Sequence, residues 1–158
     1  MSRLAISSPV GELTIVTTSA GVSRLWWNDA SDGVGDDTLL AQQHLEQTCA
    51  ELTEYFAGNR KTFDVGIDRS TRRGFRGEVL GELENVPYGE VVSYGELAAR
   101  AGRPKAARAV GTAMATNPVA IIVPCHRVVR STGGVGSFGG GLEAKKWLLA
   151  LEDKQPLS

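Results

Sequence analysis

Apolar and polar positions alternate over Arg3–Ser7, Glu12–Thr18 and Gly21–Trp27, which predicts three short strands. Pro9-Val10-Gly11 and Ser19-Ala20-Gly21 supply the turns, so the strands are expected to form an antiparallel meander. Asp29–Asp37 is a polar, Gly-containing stretch expected to be a mobile loop. The period then lengthens. Leu45, Cys49, Leu52 and Phe56 recur at i, i+4, i+7 and i+11, one face of a helix predicted over Thr38–Ala57 and stopped by Gly58. This spacing puts Cys49 on the apolar stripe, where a free cysteine reads as core. Phe63–Ile67 is expected to add a strand. Asp68–Arg73 is charged and lacks apolar residues, and marks a boundary between domains at 1–70 and 71–158.

Beyond the boundary the pattern is helical. Phe75, Val79 and Leu83 share one face of a helix running from about Arg73 to Asn85, which Pro87 ends. Ser93-Tyr94-Gly95-Glu96 has the form of a capping box opening a helix to Ala101. Gly102 and Pro104 turn the chain, and a further helix is predicted over Lys105–Ala115. Two short helices joined by such a turn are a helix-turn-helix candidate, a pattern that many non-binding helix pairs share. In the second helix Ala106, Val110, Ala113 and Met114 form the buried face. Ala107, Arg108, Gly111 and Ala115 face the other way. Helices that read base edges carry several long polar side chains; here one arginine stands among very small residues. That face suits close backbone approach, with Arg108 long enough to enter a base stack, and fits base displacement better than sequence reading. An ordinary packed helix with one solvated arginine gives the same pattern.

Composition adds two things. The 158 residues, 42% apolar, suit one domain or two small ones. Residues 1–68 hold four Lys/Arg against ten Asp/Glu, while residues 69–158 hold thirteen against eight. A basic back half points to a polyanionic partner, although surface variation between two lobes produces such a balance too. No run reaches membrane-spanning length and no signal-peptide pattern opens the chain, so a cytoplasmic protein with reduced thiols is expected. Cys49, Cys125, His44 and His126 make no zinc-ligand spacing, and no metal is expected.

The chemistry concentrates after the buried run Val119–Val123, at Pro124-Cys125-His126-Arg127. A nearby base or positive charge lowers a thiol pKa, so Cys125 beside His126 reads as a nucleophile, its proton passing through a water if the side chains do not touch. A third group should orient the imidazole. Ala144, Trp147, Leu148 and Leu151 form the apolar face of a C-terminal helix, and Glu152 lies on its rim, where a carboxylate needs a partner. A Cys125–His126–Glu152 relay follows, with a solvated glutamate at a fraying helix end as the alternative. Between them, Gly133–Gly141 contains six glycines and Phe138 but no P-loop or GxGxxG arrangement. It fits a loop wrapping a flat ligand, or a flexible linker.

These residues resemble the O6-alkylguanine-DNA alkyltransferases, also called methylated-DNA–protein-cysteine methyltransferases. The resemblance rests on Pro124-Cys125-His126-Arg127-Val128-Val129, Tyr94, Ala107-Arg108-Ala109-Val110-Gly111, Asn117-Pro118, the Gly-rich loop and the helix ending in Glu152. It covers essentially all of residues 73–153 in the family's order. It implies an α+β protein: an N-terminal ribonuclease-H-like lobe of β-meander plus helix, and a mostly helical, winged-helix-like C-terminal lobe with a helix-turn-helix. It implies Cys125 as alkyl acceptor, His126 deprotonating it through a water, and Glu152 orienting His126. Tyr94 is implied to rotate the target phosphate and give its proton to guanine N3. Arg108 is implied to fill the gap in the duplex, and the helix bearing Ala107, Ala109 and Gly111 to enter the minor groove. Asn117 is implied to tie that helix to the active-site segment. The carbonyls of Cys125 and Val128 are implied to accept from the guanine amine, the Gly139 amide to face O6, and Phe138 to wall the pocket. The implied partner is double-stranded DNA carrying O6-alkylguanine, with O4-alkylthymine a second lesion, met by a monomer without a cofactor.

Three departures stand out. Leu80 replaces a frequent Trp, Phe138 a frequent Tyr, and Gly139 a Ser seen in some members. Two other activities remain compatible with the residues: a damage-binding or transcriptional module with an inert Cys125, and a Cys-His-Glu hydrolase.

Overall fold

The computed structural model describes residues 2–28, 36–132, 134, 136 and 138–154. The expected mobile loop therefore lies outside the described residues from 29 to 35, as do Gly133, Val135 and Ser137 of the Gly-rich segment. The chain divides into two compact units, Met1–Thr71 and Arg72–Ser158.

In the first unit β1 (Arg3–Ser8), β2 (Gly11–Thr18) and β3 (Gly21–Trp27) form an antiparallel sheet in the order β1-β2-β3. The middle strand is buried without a break from Leu13 to Thr17. A register irregularity between Val16 and Thr17 breaks its strict alternation. Helix α1 (Leu39–Phe56) packs on this sheet. Thr38 caps its start, accepting from the Ala41 amide at 3.1 Å. At its end the Gly58 amide bonds to Tyr55 O and the Asn59 amide to Glu54 O, a Schellman closure that needs the positive φ of Gly58.

Two expectations in this unit are corrected. The buried face of α1 is Ala41, Leu45, Thr48, Glu51, Leu52 and Tyr55, with Cys49 only half-buried at its edge. Thr48 can turn inward because its hydroxyl donates to His44 O at 2.6 Å, and that roll moves Cys49 off the stripe. Phe63–Ile67 is not a strand, since its only ladder contact is an isolated bridge between Ile67 and Val22. The buried Glu51 carboxylate accepts the amides of Asp64 and Val65 at 2.8 and 3.2 Å, so a side chain takes the place of a partner strand. The bridge itself depends on Gly21, where a Cβ would come within 2.3 Å of Gly66 O.

The second unit begins with α2 (Gly74–Leu83), then β4 (Val92–Ser93), α3 (Tyr94–Arg100), α4 (Ala107–Ala115), β5 (Val128–Val129) and α5 (Leu142–Lys154). Helices α2, α3 and α4 pack together around Val79, Leu83, Leu97, Val110 and Ala113. The capping box forms as expected: Ser93 Oγ accepts from the Glu96 amide at 3.0 Å, and Glu96 Oε1 from the Ser93 amide at 3.1 Å. Gly102 turns the chain between α3 and α4 with φ at 89°. In helix α4 Val110, Ala113 and Met114 are buried and Ala107, Arg108 and Ala115 exposed as expected, whereas Ala106, expected buried, is only half-buried at the cap before the helix, and Gly111, expected on the open face, is half-buried. β4 and β5 pair in parallel, Val92 with Val128 and Ser93 with Val129, which brings the start of α3 beside the segment leaving Cys125.

Candidate active site

From Asn117 to Val129 the chain is almost wholly buried but barely regular, so its polar groups need specific partners. Asn117 supplies several. Its Oδ1 accepts from the Val119 amide at 3.1 Å, and its Nδ2 donates to Val123 O at 3.0 Å and to Val119 O at 3.4 Å. One side chain thus joins the end of α4 to the segment before Cys125. Within that segment Ile121 has φ at 72°, a conformation costly for a β-branched residue. Cys125–Arg127 then form one 3-10 turn, all three residues buried.

Cys125 is 2% exposed. Burial pushes its thiol up to about 11, against the opposing pull of an Asn117 hydrogen bond, the Lys145 charge and the amides of Cys125 and Ile121. The expectation of a thiol made acidic by its neighbours is therefore corrected for the free protein: desolvation outweighs them, and the thiol is protonated at neutral pH.

His126 and Glu152 meet as expected, Nε2 to Oε2 at 2.7 Å, both buried. The same carboxylate takes Arg127 in a two-pronged pair, Nε to Oε1 at 2.9 Å and Nη2 to Oε2 at 3.0 Å. Arg127 Nη1 also donates to Val86 O at 2.7 Å. Burial favours the neutral acid form of Glu152, but the bonds from His126 and Arg127 prevail and hold its carboxyl well below the usual carboxylate range. Burial likewise lowers the pKa of His126 against the pull of Glu152, so the imidazole is neutral at pH 7. An ionised Glu152 accepts from Nε2–H. That tautomer leaves Nδ1 as an acceptor, buried and without a hydrogen-bond partner among the described residues.

Lys145, to which the sequence analysis gave no role, is fully buried. Its Nζ donates to Val128 O at 2.7 Å and lies 6.0 and 5.9 Å from the ring centroids of Tyr94 and Phe138. Burial brings its pKa down to about 8, opposed by the attraction that a Cys125 thiolate would exert. The periodicity held the signal: Lys145 precedes Glu152 by seven residues, so the two share a helix face. Arg127 stood in the motif that drew attention to Cys125, but no spacing rule pairs it with a carboxylate 25 residues on.

A pocket of about 250 Å³ is lined by Tyr94, Gly111, Met114, Ala115, Phe138 and Gly139. It joins the small-residue face of α4, the first residue of α3 and the described end of the Gly-rich segment. Gly136 presses on Tyr94: a Cβ there would stand 2.8 Å from the Tyr94 hydroxyl. Arg108 stays apart from this cluster, exposed near the start of α4. Among the described residues no group of three His, Cys, Asp or Glu is arranged to hold a metal ion, and no helix is long and apolar enough to cross a membrane.

Residues 74–154 match the model of the 6-O-methylguanine DNA methyltransferase DNA-binding domain, and residues 3–68 that of the ribonuclease-like domain of the same proteins. The chain belongs to the 6-O-methylguanine DNA methyltransferase family. It is 46% identical to the methylated-DNA–protein-cysteine methyltransferase of Mycobacterium leprae, over 98% of this chain and 93% of that one. Identity to the Homo sapiens protein of that name is 39%, over 96% and 80% of the two chains. The crystal structure of Mycobacterium tuberculosis OGT in complex with DNA superposes with a TM-score of 0.84 at 37% identity, covering 97% of this chain and 93% of that one. The mixed α+β architecture expected from the sequence, with its sheet N-terminal and its helices C-terminal, is that of these methyltransferase structures.

Proposed function

We propose that this protein repairs DNA by direct reversal, moving the alkyl group of O6-alkylguanine, and of O4-alkylthymine, irreversibly onto Cys125. The observation that carries the reading is a buried thiol next in sequence to a histidine held by Glu152, in a unit whose pocket is walled by the small-residue face of α4. Helix α4 enters the minor groove with Ala107, Ala109 and Gly111 against the backbone, and Arg108 fills the space of the extruded base. The base enters the pocket between Tyr94, Phe138 and Gly139. Its amine is accepted by the carbonyls of Cys125 and Val128, and the Gly139 amide faces O6.

The thiol proton passes through a water to His126 Nδ1, the lone pair that the Glu152 bond leaves available. Sulfur attacks the alkyl carbon, the S–C bond forms as the C–O6 bond breaks, and the electron pair goes to the guanine ring. Tyr94 gives its hydroxyl proton to N3, and the nearby Lys145 ammonium offsets the resulting phenolate. The product is a thioether. No second nucleophile releases it, so each chain acts once, needs no cofactor and is spent. The protein acts on double-stranded DNA as a monomer. We infer a cytoplasmic location, in which both thiols stay reduced.

Intact mass after incubation with duplex DNA containing O6-methylguanine tests this. The expected result is one added methyl group on Cys125, with at most one equivalent repaired, and no addition to Cys125→Ser, which still binds the lesion. Unmodified protein on bound DNA, or methylation of Cys125→Ser, refutes it.

A further inference from the structure

We propose that Arg130 is a phosphate clamp for the extruded nucleotide, working beside Tyr94. This rests on the repair reading above.

The parallel ladder pairs Val92 with Val128 and Ser93 with Val129, then ends. The next residues on the two strands are Tyr94 and Arg130. They leave the ladder side by side, at a strand separation of about 4.8 Å. Tyr94 turns into α3 and lines the pocket. The Arg130 amide donates to Gly134 O at 2.9 Å. Its aliphatic stem lies beside Gly134, where a Cβ would stand 3.5 Å from Arg130 Cδ.

Arg130 is exposed, and no carboxylate pairs with it among the described residues. The other arginine that flanks the relay is fully committed: Arg127 is buried on Glu152 and Val86 O. Lys145 is committed too, on Val128 O. Among Arg127, Lys145 and Arg130, all described residues, Arg130 is thus the one that faces solvent, and its charge is felt at Lys145. On the repair reading, a nucleotide seated against Tyr94 in the pocket would bring its phosphate towards the ends of this ladder, where Arg130 stands. An arginine fork matches phosphate oxygens and forms charge-assisted hydrogen bonds to them. The contact carries no sequence information and fixes only register, as a lesion-directed protein requires.

The test is a cycle between Arg130 and single phosphates, read by single-turnover methyl transfer under subsaturating conditions. Duplexes carry O6-methylguanine with a neutral methylphosphonate either 5′ or 3′ of the target nucleotide. Rates are normalised to reaction of each protein with free O6-benzylguanine, which has no phosphate. Arg130→Gln is expected to lose about tenfold on unmodified DNA, and the slope of log affinity against log salt to fall by about one. At one of the two methylphosphonates the wild type is expected to lose about tenfold while Arg130→Gln loses nothing more. Losses that multiply at both positions overturn the clamp, as does an Arg130→Gln rate on unmodified DNA equal to that of the wild type. If the wild-type protein itself takes no methyl group, the repair reading falls; multiplying losses with normal wild-type transfer sink the clamp alone.

Discussion

Replacing Glu152 by Gln tests how the relay is held together. The carboxylate is almost fully buried and accepts from His126 Nε2 at 2.7 Å, from Arg127 at 2.9 and 3.0 Å, and from the Gly89 amide at 3.4 Å. Glutamine keeps the shape but loses the charge, and its NH2 must face a donor of Arg127 or His126. Arg127 is then a buried guanidinium without a counter-charge, a state that costs about 3–5 kcal/mol. Arg127→Met removes the other half and is expected to cost about 2–4 kcal/mol, since His126 still engages the carboxylate. The double variant strands no charge. Its loss should fall short of the two single losses combined by about 2 kcal/mol or more. Urea unfolding at pH 7, followed by circular dichroism, measures all three. The pH dependence has a definite sign. The folded carboxyl titrates below its unfolded value near 4.5, so its contribution is complete above that pH and declines as the pH falls further. The gap between wild type and Glu152→Gln should therefore narrow below about pH 4.5. Strictly additive losses, or a Glu152→Gln protein within about 1 kcal/mol of wild type at pH 7, would refute this account of the network.

Lys145→Met should stabilise the free protein at pH 7 by about 1–3 kcal/mol and slow alkyl transfer, because the buried ammonium is costly to fold around. The unfolded lysine keeps its proton to about 10.5 and the folded one to about 8, so wild-type stability rises across that window and the difference shrinks; unfolding curves at pH 7 and 9.5 check it. Arg108→Ala should reduce transfer from duplex DNA at least tenfold relative to transfer from free O6-benzylguanine, and an equal loss on both substrates would remove it from base extrusion. In a Cys49→Ser background, iodoacetamide labelling of Cys125 should climb about tenfold per pH unit from 7 to 9, as for a thiol of pKa about 11; a plateau below pH 8 contradicts the burial argument.

Local chemistry explains what the sequence disclosed. The turn glycines, the Ser93 capping box and the faces of α4 follow from rules acting within four residues, and these elements lie close to where the pattern puts them. The same reach explains the misses. Cys49 left the stripe because Thr48 could satisfy its hydroxyl on its own helix. Residues 63–67 failed as a strand because Glu51, 13 residues from Asp64, took their amides. Near Cys125, adjacency named His126, and helical phase aimed Glu152 inward. Arg127 and Lys145 act at long range, and the acidity of Cys125 was misjudged because adjacency reveals charge but not desolvation.

That desolvation bears on how a single-use nucleophile can work. At neutral pH a thiol of pKa about 11 is ionised to roughly one part in ten thousand, so the free protein is expected to react poorly with stray electrophiles. An acceptor consumed by its first reaction gains from such reticence. The cost is that His126, itself shifted towards neutrality by burial, is a weak base for so reluctant an acid. Separation into full charges before a substrate arrives is uphill, since burial opposes both the thiolate and the imidazolium. On the proposed reaction the rate then comes from events that a bound base supplies: an alkyl carbon held in line with sulfur, and ring charge met by Tyr94 and the Gly139 amide as it develops. Selectivity on this view resides in filling the pocket between α4 and Phe138. Raising thiol acidity by a variant that exposes Cys125 should speed its reaction with iodoacetamide more than its reaction with O6-alkylguanine.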